Sequence, residues 1–104
     1  MGKARSIKLD TREFAKAGDA TAHFRAMLNR YPLGGLVIGT DKDDLRALIK
    51  RHDEADEKIG CGIDHFVVDM DPEGTPTRCF HIVRTDGSRV DFSYPHCLKA
   101  KPGD

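Results

Sequence analysis

The sequence lacks a net charge, a long apolar run and an ample supply of aromatic residues, and each shortage narrows the class of protein. Seventeen Lys and Arg residues balance 17 Asp and Glu residues, so total charge gives no argument for a nucleic-acid or membrane partner. The first ten residues, MGKARSIKLD, contain no apolar segment typical of signal peptides or membrane spans. Aromatic residues make up 7% of the chain, which leaves few side chains for stacking on bases. We therefore expect a protein with no membrane partner.

Cysteine is scarce and shows no paired motif. The three cysteines are Cys61, Cys79 and Cys97. An odd number without a CxxC pair is typical of free thiols in a reducing compartment, so we expect a cytoplasmic location. A chain of 104 residues is near the commonest domain size and can bury a core without disulfides or metals. We predict a single domain over residues 1–104.

Charge is uneven along the chain although it balances in total. Residues 1–52 contain 11 basic and six acidic side chains, and residues 53–104 contain six basic and 11 acidic ones. A surface polarised in this way can orient an anionic partner on one side. In particular, Lys42, Arg46 and Lys50 follow one another at helical spacing and predict a basic stripe. Such a stripe is tolerable without a ligand, because like charges at this spacing cost only a few tenths of a kcal/mol.

Two segments have the apolar period of a helix. The stripe of the first is formed by Phe24, Met27, Leu28 and Tyr31. The stripe of the second is formed by Leu45, Leu48, Ile49 and His52. We predict helices over about residues 20–31, capped by Asp19, and from Thr40 or Asp41 to about His52.

The remaining apolar runs predict strands. Residues 7–9 and 36–38 suit two short strands, and the period changes to two over residues 63–70, 77–84 and 88–93. The Asp86-Gly87 dipeptide favours a two-residue type I′ hairpin turn. That turn would put six residues on one sheet face, namely Cys79, His81, Val83, Val90, Phe92 and Tyr94. The predicted fold is an α+β domain with two helices packed on an antiparallel sheet of about three to five strands and a C-terminal Asp-Gly hairpin.

Zinc-type ligands are present, but their spacing argues against a site. Cys79 and His81 share a strand face, and His52 and Cys97 can in principle approach them. Structural zinc sites usually take ligands from tight pairs such as CxxC, which this chain lacks. We therefore predict no metal and no cofactor, and we interpret His52 as a packed residue at a helix end, with a general base as the alternative.

The run Lys58-Ile59-Gly60-Cys61-Gly62 allows two interpretations. Its backbone N–H groups and lysine can form an anion-binding concavity. Phosphate loops usually lead into a helix, however, whereas this run leads into a strand. Two glycines before a buried strand more often mark a tight turn, and we expect backbone angles here that disfavour other residues.

Several of these motifs together resemble one known family. The strings are KIG-x-GI from Lys58, RCF from Arg78, DGS from Asp86 and DFSY from Asp91. They resemble the domain of the plant DCL ("defective chloroplasts and leaves") family over about residues 22–98. Related domains occur in the largest subunits of plant RNA polymerases IV and V, and plant members are linked to plastid ribosomal RNA maturation. The resemblance implies a stand-alone, bacterial, RNA-associated DCL-like domain.

Three functions follow as hypotheses. The first is a non-enzymatic module that binds RNA or a ribonucleoprotein. Its candidate binding residues are Lys42, Arg46, Lys50, His52, Lys58, Gly60, Gly62, Arg78 and Arg84. The second is a metal- or histidine-dependent RNA hydrolase that uses His52, His65 or His81. The third is a protein-docking domain, as the polymerase-fused relatives would suggest.

Overall fold

The computed structural model describes residues 6–71 and 77–99. In chain order, the elements are β1 (Ile7–Lys8), β2 (Glu13–Phe14), α1 (Ala17–Arg30), β3 (Gly35–Leu36), α2 (Gly39–Ile49), α3 (Ala55–Ile59), β4 (Ile63–Met70), β5 (Arg78–Arg84), β6 (Arg89–Phe92) and α4 (Tyr94–Cys97). An antiparallel sheet has the order β3-β4-β5-β6, and β1 pairs with β2 in a small second sheet. The predicted α+β class is confirmed. The ends of the predicted domain lie outside the described residues.

The core lies between one face of the four-stranded sheet and the helices. The sheet contributes Phe66, Val68, Phe80, Ile82 and Phe92, and the two longer helices contribute Phe24, Met27, Leu45, Leu48 and Ile49. Phe80 and Phe92 stack with ring centroids 5.9 Å apart. Each such side chain contributes about 1.5–3 kcal/mol by burial. The apolar stripes predicted from helical spacing therefore face the core.

Both long helices begin earlier than predicted. The N-cap residues are Lys16 and Ile38, and neither makes a side-chain capping bond. Asp19 and Asp41 lie in the first turns, where a carboxylate is favoured by the helix dipole without capping. Asp41 instead accepts hydrogen bonds from Arg30 and Tyr31, both at 2.7 Å. The capping predictions were wrong because both helices begin before these residues, and the Asp41 carboxylate binds side chains of the preceding segment instead.

The chain after α2 also differs from the prediction. Helix α2 ends at Ile49, before the predicted end at about His52, and the acidic run that follows contains the short helix α3. Its acidic side chains are nevertheless exposed, as expected for a charged run. The separate helix places His52 in the connection between α2 and α3.

The β5–β6 turn corrects the predicted register. Phe80 lies opposite Phe92, and Val83 lies opposite Arg89. The loop has three residues, since Arg84 N–H bonds to Ser88 O at 2.8 Å and Gly87 N–H bonds to Arg84 O at 2.9 Å. Gly87 has φ +84°, whereas no residue other than glycine has positive φ in the described part of the chain. A type I′ turn needs positive φ at both central positions, so the observed turn is a type I turn closed by a left-handed glycine.

The extra loop residue reverses the faces of the hairpin strands relative to each other. Phe92 joins Phe80 in the core, and Cys79 lies on the opposite face. Asp86 favours this turn because its carboxylate accepts bonds from Ser88 N–H at 2.9 Å and Ser88 O–H at 2.6 Å. The same Ser88 hydrogen bonds lower the pKa of Asp86. The prediction that Cys79, His81 and Phe92 share one face was wrong.

A buried carboxylate joins the β1–β2 hairpin to the helices. Asp44 of α2 is 1% exposed. It accepts hydrogen bonds from Thr11 at 2.7 Å, Arg12 at 3.2 Å and His23 at 2.9 Å. Ile7 of β1 is fully buried in the core. The hairpin is therefore a packed part of the fold.

No helix within residues 6–71 and 77–99 is long and apolar enough to cross a membrane.

Candidate functional site

The glycine loop has the strained backbone predicted for it. Gly60 has φ +57° and Gly62 has φ +131°, both in regions that favour glycine. At Gly60 the absence of a side chain also leaves space, because a Cβ there would lie 2.8 Å from Arg84 Nε. The loop is a tight turn between α3 and β4, and Arg84 lies across it.

The guanidinium of Arg84 is held in place by hydrogen bonds to neighbouring residues. Its Nε donates to Lys58 O at 3.0 Å, and one terminal nitrogen donates to Glu57 O at 3.2 Å. The other donates to Ser88 Oγ at 3.0 Å. The guanidinium thus satisfies carbonyls at the C-terminus of α3, where a cation is also favoured by the helix dipole.

The other predicted residues of this region separate into two places. Lys58 is half-buried and donates to Asp91 O at 2.9 Å. It lines a cleft with His52 and a neighbouring cleft with Arg84. Arg78 lies elsewhere, lining a cavity of about 320 Å³ and donating to Tyr31 O at 2.6 Å. The structure therefore brings His52, Lys58 and Arg84 near one another and leaves Arg78 outside.

The basic stripe of α2 is present as predicted. Arg46 and Lys50 are exposed, and Lys42 is half-buried. The buried face of the same helix carries Leu45, Leu48 and Ile49. Arg46 approaches Ile63 O at 3.5 Å, and Lys50 forms an ion pair with Asp10. No hydrogen bond or ion pair within the described part of the chain involves the Lys42 side chain. The stripe is a row of three cations along one side of α2, two of them exposed.

A cleft of about 410 Å³ lies beside the stripe's C-terminal end, and we call it the histidine cleft. It is lined by His52, Glu54, Lys58, Asp91, Phe92, Ser93, Pro95, His96 and Lys99. His52 is only 8% exposed, which confirms that it is packed. Its ring centroid lies 4.5 Å from that of His96. The cleft thus places two imidazoles side by side at its wall.

Asp53 connects the two histidines. Its Oδ1 lies 2.7 Å from His96 Nε2 and 3.2 Å from His52 Nδ1. The backbone N–H of Glu54 donates to His52 Nδ1 at 2.9 Å, so that nitrogen carries a lone pair when the ring is neutral. Among the described residues, His52, Asp53 and His96 form a group of three potential metal ligands. Their donor atoms all lie within 4.8 Å of one another.

The electrostatics of the cleft keep His52 neutral and Asp53 charged. Burial lowers the pKa of His52 most, and the nearby cationic forms of His96 and Lys58 lower it further. The hydrogen bond from His96 lowers the pKa of Asp53. At neutral pH the site therefore offers a neutral imidazole next to a carboxylate.

The metal ligands weighed from sequence do not meet. Cys79 Sγ lies 3.3 Å from His81 Nε2 on the outer sheet face, but Cys97 is buried in the core on the helix side. Burial raises the pKa of Cys79 to about 11, so its thiol stays protonated. His81 is held by Met70 O at 3.0 Å and Arg89 at 3.4 Å. These two residues are part of a packed hydrogen-bonded group.

The histidines considered for an RNA hydrolase are also separated. His65 and His81 lie on the outer face of the sheet, opposite Val83 and Val67 respectively. His52 lies in the connection between α2 and α3, with its ring against that of His96. The three do not form one catalytic group.

Sequence reasoning missed Asp53 and His96. His96 lies on α4, a single turn that is too short to show a period. A local signal was nevertheless present: Ser93 caps the helix by accepting from His96 N–H at 3.4 Å, and Pro95 lies in the first turn. Recognising Ser-x-Pro as a helix start would have placed His96 on a fixed element.

Comparison with known proteins identifies the family. A family model described as a protein of unknown function (DUF3223) matches residues 25–98. The chain belongs to this family. The DCL-like domain is 47% identical over 55 residues to the chloroplastic DCL homolog of Arabidopsis thaliana. The match covers 53% of this chain and 25% of that protein, and the resemblance seen in the sequence motifs is confirmed.

Two further matches extend the picture of the DCL-like domain. It is 37% identical over 69 residues to DNA-directed RNA polymerase V subunit 1 of Arabidopsis thaliana, covering 65% of this chain and 4% of that subunit. A solution NMR structure of an uncharacterized protein from Rhodospirillum rubrum has a TM-score of 0.80 and 44% identity, covering 93% of this chain and 91% of the other. The chain thus spans a quarter or less of the curated relatives cited, whereas the bacterial chain has the same extent.

Proposed function

We propose that this DCL-like domain is a non-enzymatic module that binds RNA or a ribonucleoprotein by contacting phosphates through α2. The observation that carries the proposal is the row of Lys42, Arg46 and Lys50 along one side of α2, in which Arg46 and Lys50 are exposed and Lys42 is half-buried. The similarity to a subunit of an RNA polymerase supports a setting in which nucleic acid is at hand. A cytoplasmic location and a bacterial origin stay predictions.

The geometry of the stripe suits phosphate binding. The opposite face of α2 is fixed in the core, so the cations need no ordering of the backbone when a partner arrives. The Lys50–Asp10 pair is exposed on both sides, at 66% and 65%, and such pairs contribute only about 0.2–1 kcal/mol. A phosphate can therefore replace Asp10 at little cost.

Binding of this kind has a specific salt dependence. Each phosphate neutralised by a cation releases condensed counterions, so affinity falls as salt rises. Three contacts correspond to roughly two to three units of slope in a plot of log affinity against log salt. The proposal requires this slope and no base-specific pocket.

The test compares two variants of equal charge. One replaces Lys42, Arg46 and Lys50 with Gln, and the control replaces the exposed residues Lys16, Arg25 and Lys99 with Gln. Both are titrated with a structured RNA at several salt concentrations. We expect the stripe variant to lose roughly two to three units of slope and the control to keep most of it.

Two outcomes would contradict the proposal. Equal loss in both variants would show that only net charge matters, and absence of binding by the parent protein at low salt would exclude direct RNA contact. In the second case, protein docking becomes the better account of the relationship to polymerase subunits. Circular dichroism of each variant checks the fold, which we expect to survive because exposed helical positions tolerate substitution within about 0.5 kcal/mol.

A further inference from the structure

We propose that His52, Asp53 and His96 form a binding site for a divalent transition-metal ion of the zinc type. The inference is independent of RNA binding. It rests on donor chemistry, distances and the way the surrounding fold holds the three residues.

The donor set suits such an ion. Two imidazoles and one carboxylate are the ligands of many zinc and non-haem iron sites. The three side chains come from segments 43 residues apart, so their meeting is a product of the fold and not of local sequence. Their donor atoms all lie within 4.8 Å of one another.

The two distances from Asp53 to the histidines are close to those of a bound state. Tetrahedral zinc with bonds of about 2.0–2.1 Å places its ligand atoms about 3.3 Å apart. The Asp53 carboxylate oxygen lies 2.7 Å from His96 Nε2 and 3.2 Å from His52 Nδ1. Accommodation of the ion requires the first distance to open by a few tenths of an ångström. Asp53 can move, since its side chain is 63% exposed.

The fold positions both histidines. His52 is packed at the end of α2. Arg51, its neighbour, donates to Cys97 O at 2.9 Å and Lys99 O at 3.2 Å. These bonds hold the C-terminal end of α4 against the end of α2 and so keep His96 beside His52. The two rings are thus brought together by contacts outside the site, as a pre-organised ligand pair requires.

The surroundings of the site carry both signs of charge. The ion would displace the Glu54 N–H from His52 Nδ1, and Lys58 opposes a cation in the cleft while Glu54 and Asp91 favour one. Three protein ligands leave a fourth position, where water can complete the coordination.

The experiment measures binding of Zn²⁺ to the full chain after treatment with a chelator. Cys61→Ser is introduced in every sample, because Cys61 is an exposed free thiol and would compete for the metal. Isothermal titration gives affinity and stoichiometry, and ¹H–¹⁵N spectra of the imidazoles report which rings respond. We expect a single equivalent to bind, with shifts of the His52 and His96 rings and a higher melting temperature.

The variants distinguish Zn²⁺ binding at the proposed site from Zn²⁺ binding to other histidines of the chain. His96→Gln removes one ligand on a partly exposed ring, and Asp53→Asn weakens the carboxylate. Each should reduce affinity by at least about tenfold, since loss of even an outer-shell partner costs 10–100-fold. His65→Gln is the matched control, because His65 also lies beside an aspartate, Asp64, but outside the cleft. It should leave affinity unchanged.

Three results would overturn the inference. They are absence of saturable binding below about 1 mM, equal loss in His65→Gln and His96→Gln, and imidazole shifts confined to His23, His65 or His81. His52→Gln is not needed for the decision, so a folding defect at this buried position cannot obscure it.

Discussion

Substitution of Gly60 by alanine tests the reasoning about the glycine loop most directly. Gly60 follows α3 with φ +57° and ψ −124°, and it lies against the Arg84 side chain. Alanine there meets two obstacles. The backbone angles are strained for a residue with a Cβ, and the Cβ would lie 2.8 Å from Arg84 Nε and 3.0 Å from Arg84 Cδ.

The expected loss of stability has two parts. Backbone strain of this type costs about 1–3 kcal/mol. Displacement of Arg84 weakens its bonds to Lys58 O and Glu57 O, each of which contributes about 0.5–1.5 kcal/mol. We expect a total of about 2–4 kcal/mol, which lowers the melting temperature by on the order of 10–25 °C in a domain of this size.

Urea and thermal denaturation followed by circular dichroism measure this loss. Gly62→Ala is the first comparison, since its Cβ would lie 3.5 Å from Thr85 and only strain should count, at about 1–2 kcal/mol. Gly18→Ala is the control, because nothing lies within 4 Å of its position and a helical alanine is favoured by up to about 1 kcal/mol.

A double variant isolates the role of the arginine. If the clash matters, Gly60→Ala should cost less in an Arg84→Ala background than in the parent protein. A Gly60→Ala variant within about 0.5 kcal/mol of the parent would refute the reasoning. Equal costs in both backgrounds would remove the clash and leave only backbone strain.

Three further predictions concern titratable groups. Asp44→Ala should lower the free energy of unfolding by about 1–3 kcal/mol in urea denaturation, because it removes the buried acceptor shared by Thr11, Arg12 and His23; a loss below about 0.5 kcal/mol would contradict this. At pH 8, Cys79 should react with iodoacetamide at least about tenfold more slowly than Cys61, because only the thiolate reacts and the pKa of Cys79 is about 11; mass spectrometry of the peptides decides, and equal rates would refute it. The pKa of His52 lies below its ordinary 6.5 in the folded state, so the unfolded chain binds its proton more readily, and stability should fall as the pH drops below about 7. Denaturation at pH 7.5 and 5.5 should show a smaller pH effect in His52→Gln than in the parent, and identical effects would count against the assignment.

Periodic patterns in the sequence predicted the core well. Phe24, Met27 and Leu28 share a face because helical spacing brings them together, and the same holds for Leu45, Leu48 and Ile49. Burial of these stripes dominates the energetics of the fold, so a pattern of apolar residues is enough to place the helices. The strand period predicted β4 and β5 for the same reason.

Details that depend on one hydrogen bond were not predictable in this way. The Asp86-Gly87 dipeptide fits both a two-residue and a three-residue loop, and the contact from Asp86 to Ser88 favours the longer one. The one extra residue in the loop then decides which face of the sheet Cys79 shares with the residues of β6. His96 and Asp53 meet because α4 is held against the end of α2 by the Arg51 hydrogen bonds and by the burial of Cys97 and Leu98, contacts between distant segments that carry no sequence pattern.

The buried position of Ile7 bears on where the folding unit begins. The family match starts at residue 25, in the middle of α1, whereas the core also contains Ile7, Ala20 and Phe24. A fragment trimmed to the matched residues would halve α1 and remove Ile7, Ala20 and Phe24 from the core. The unit that folds is thus larger than the segment matched by the family model, and Ile7 of its first strand is as deeply buried as the core residues of the central sheet.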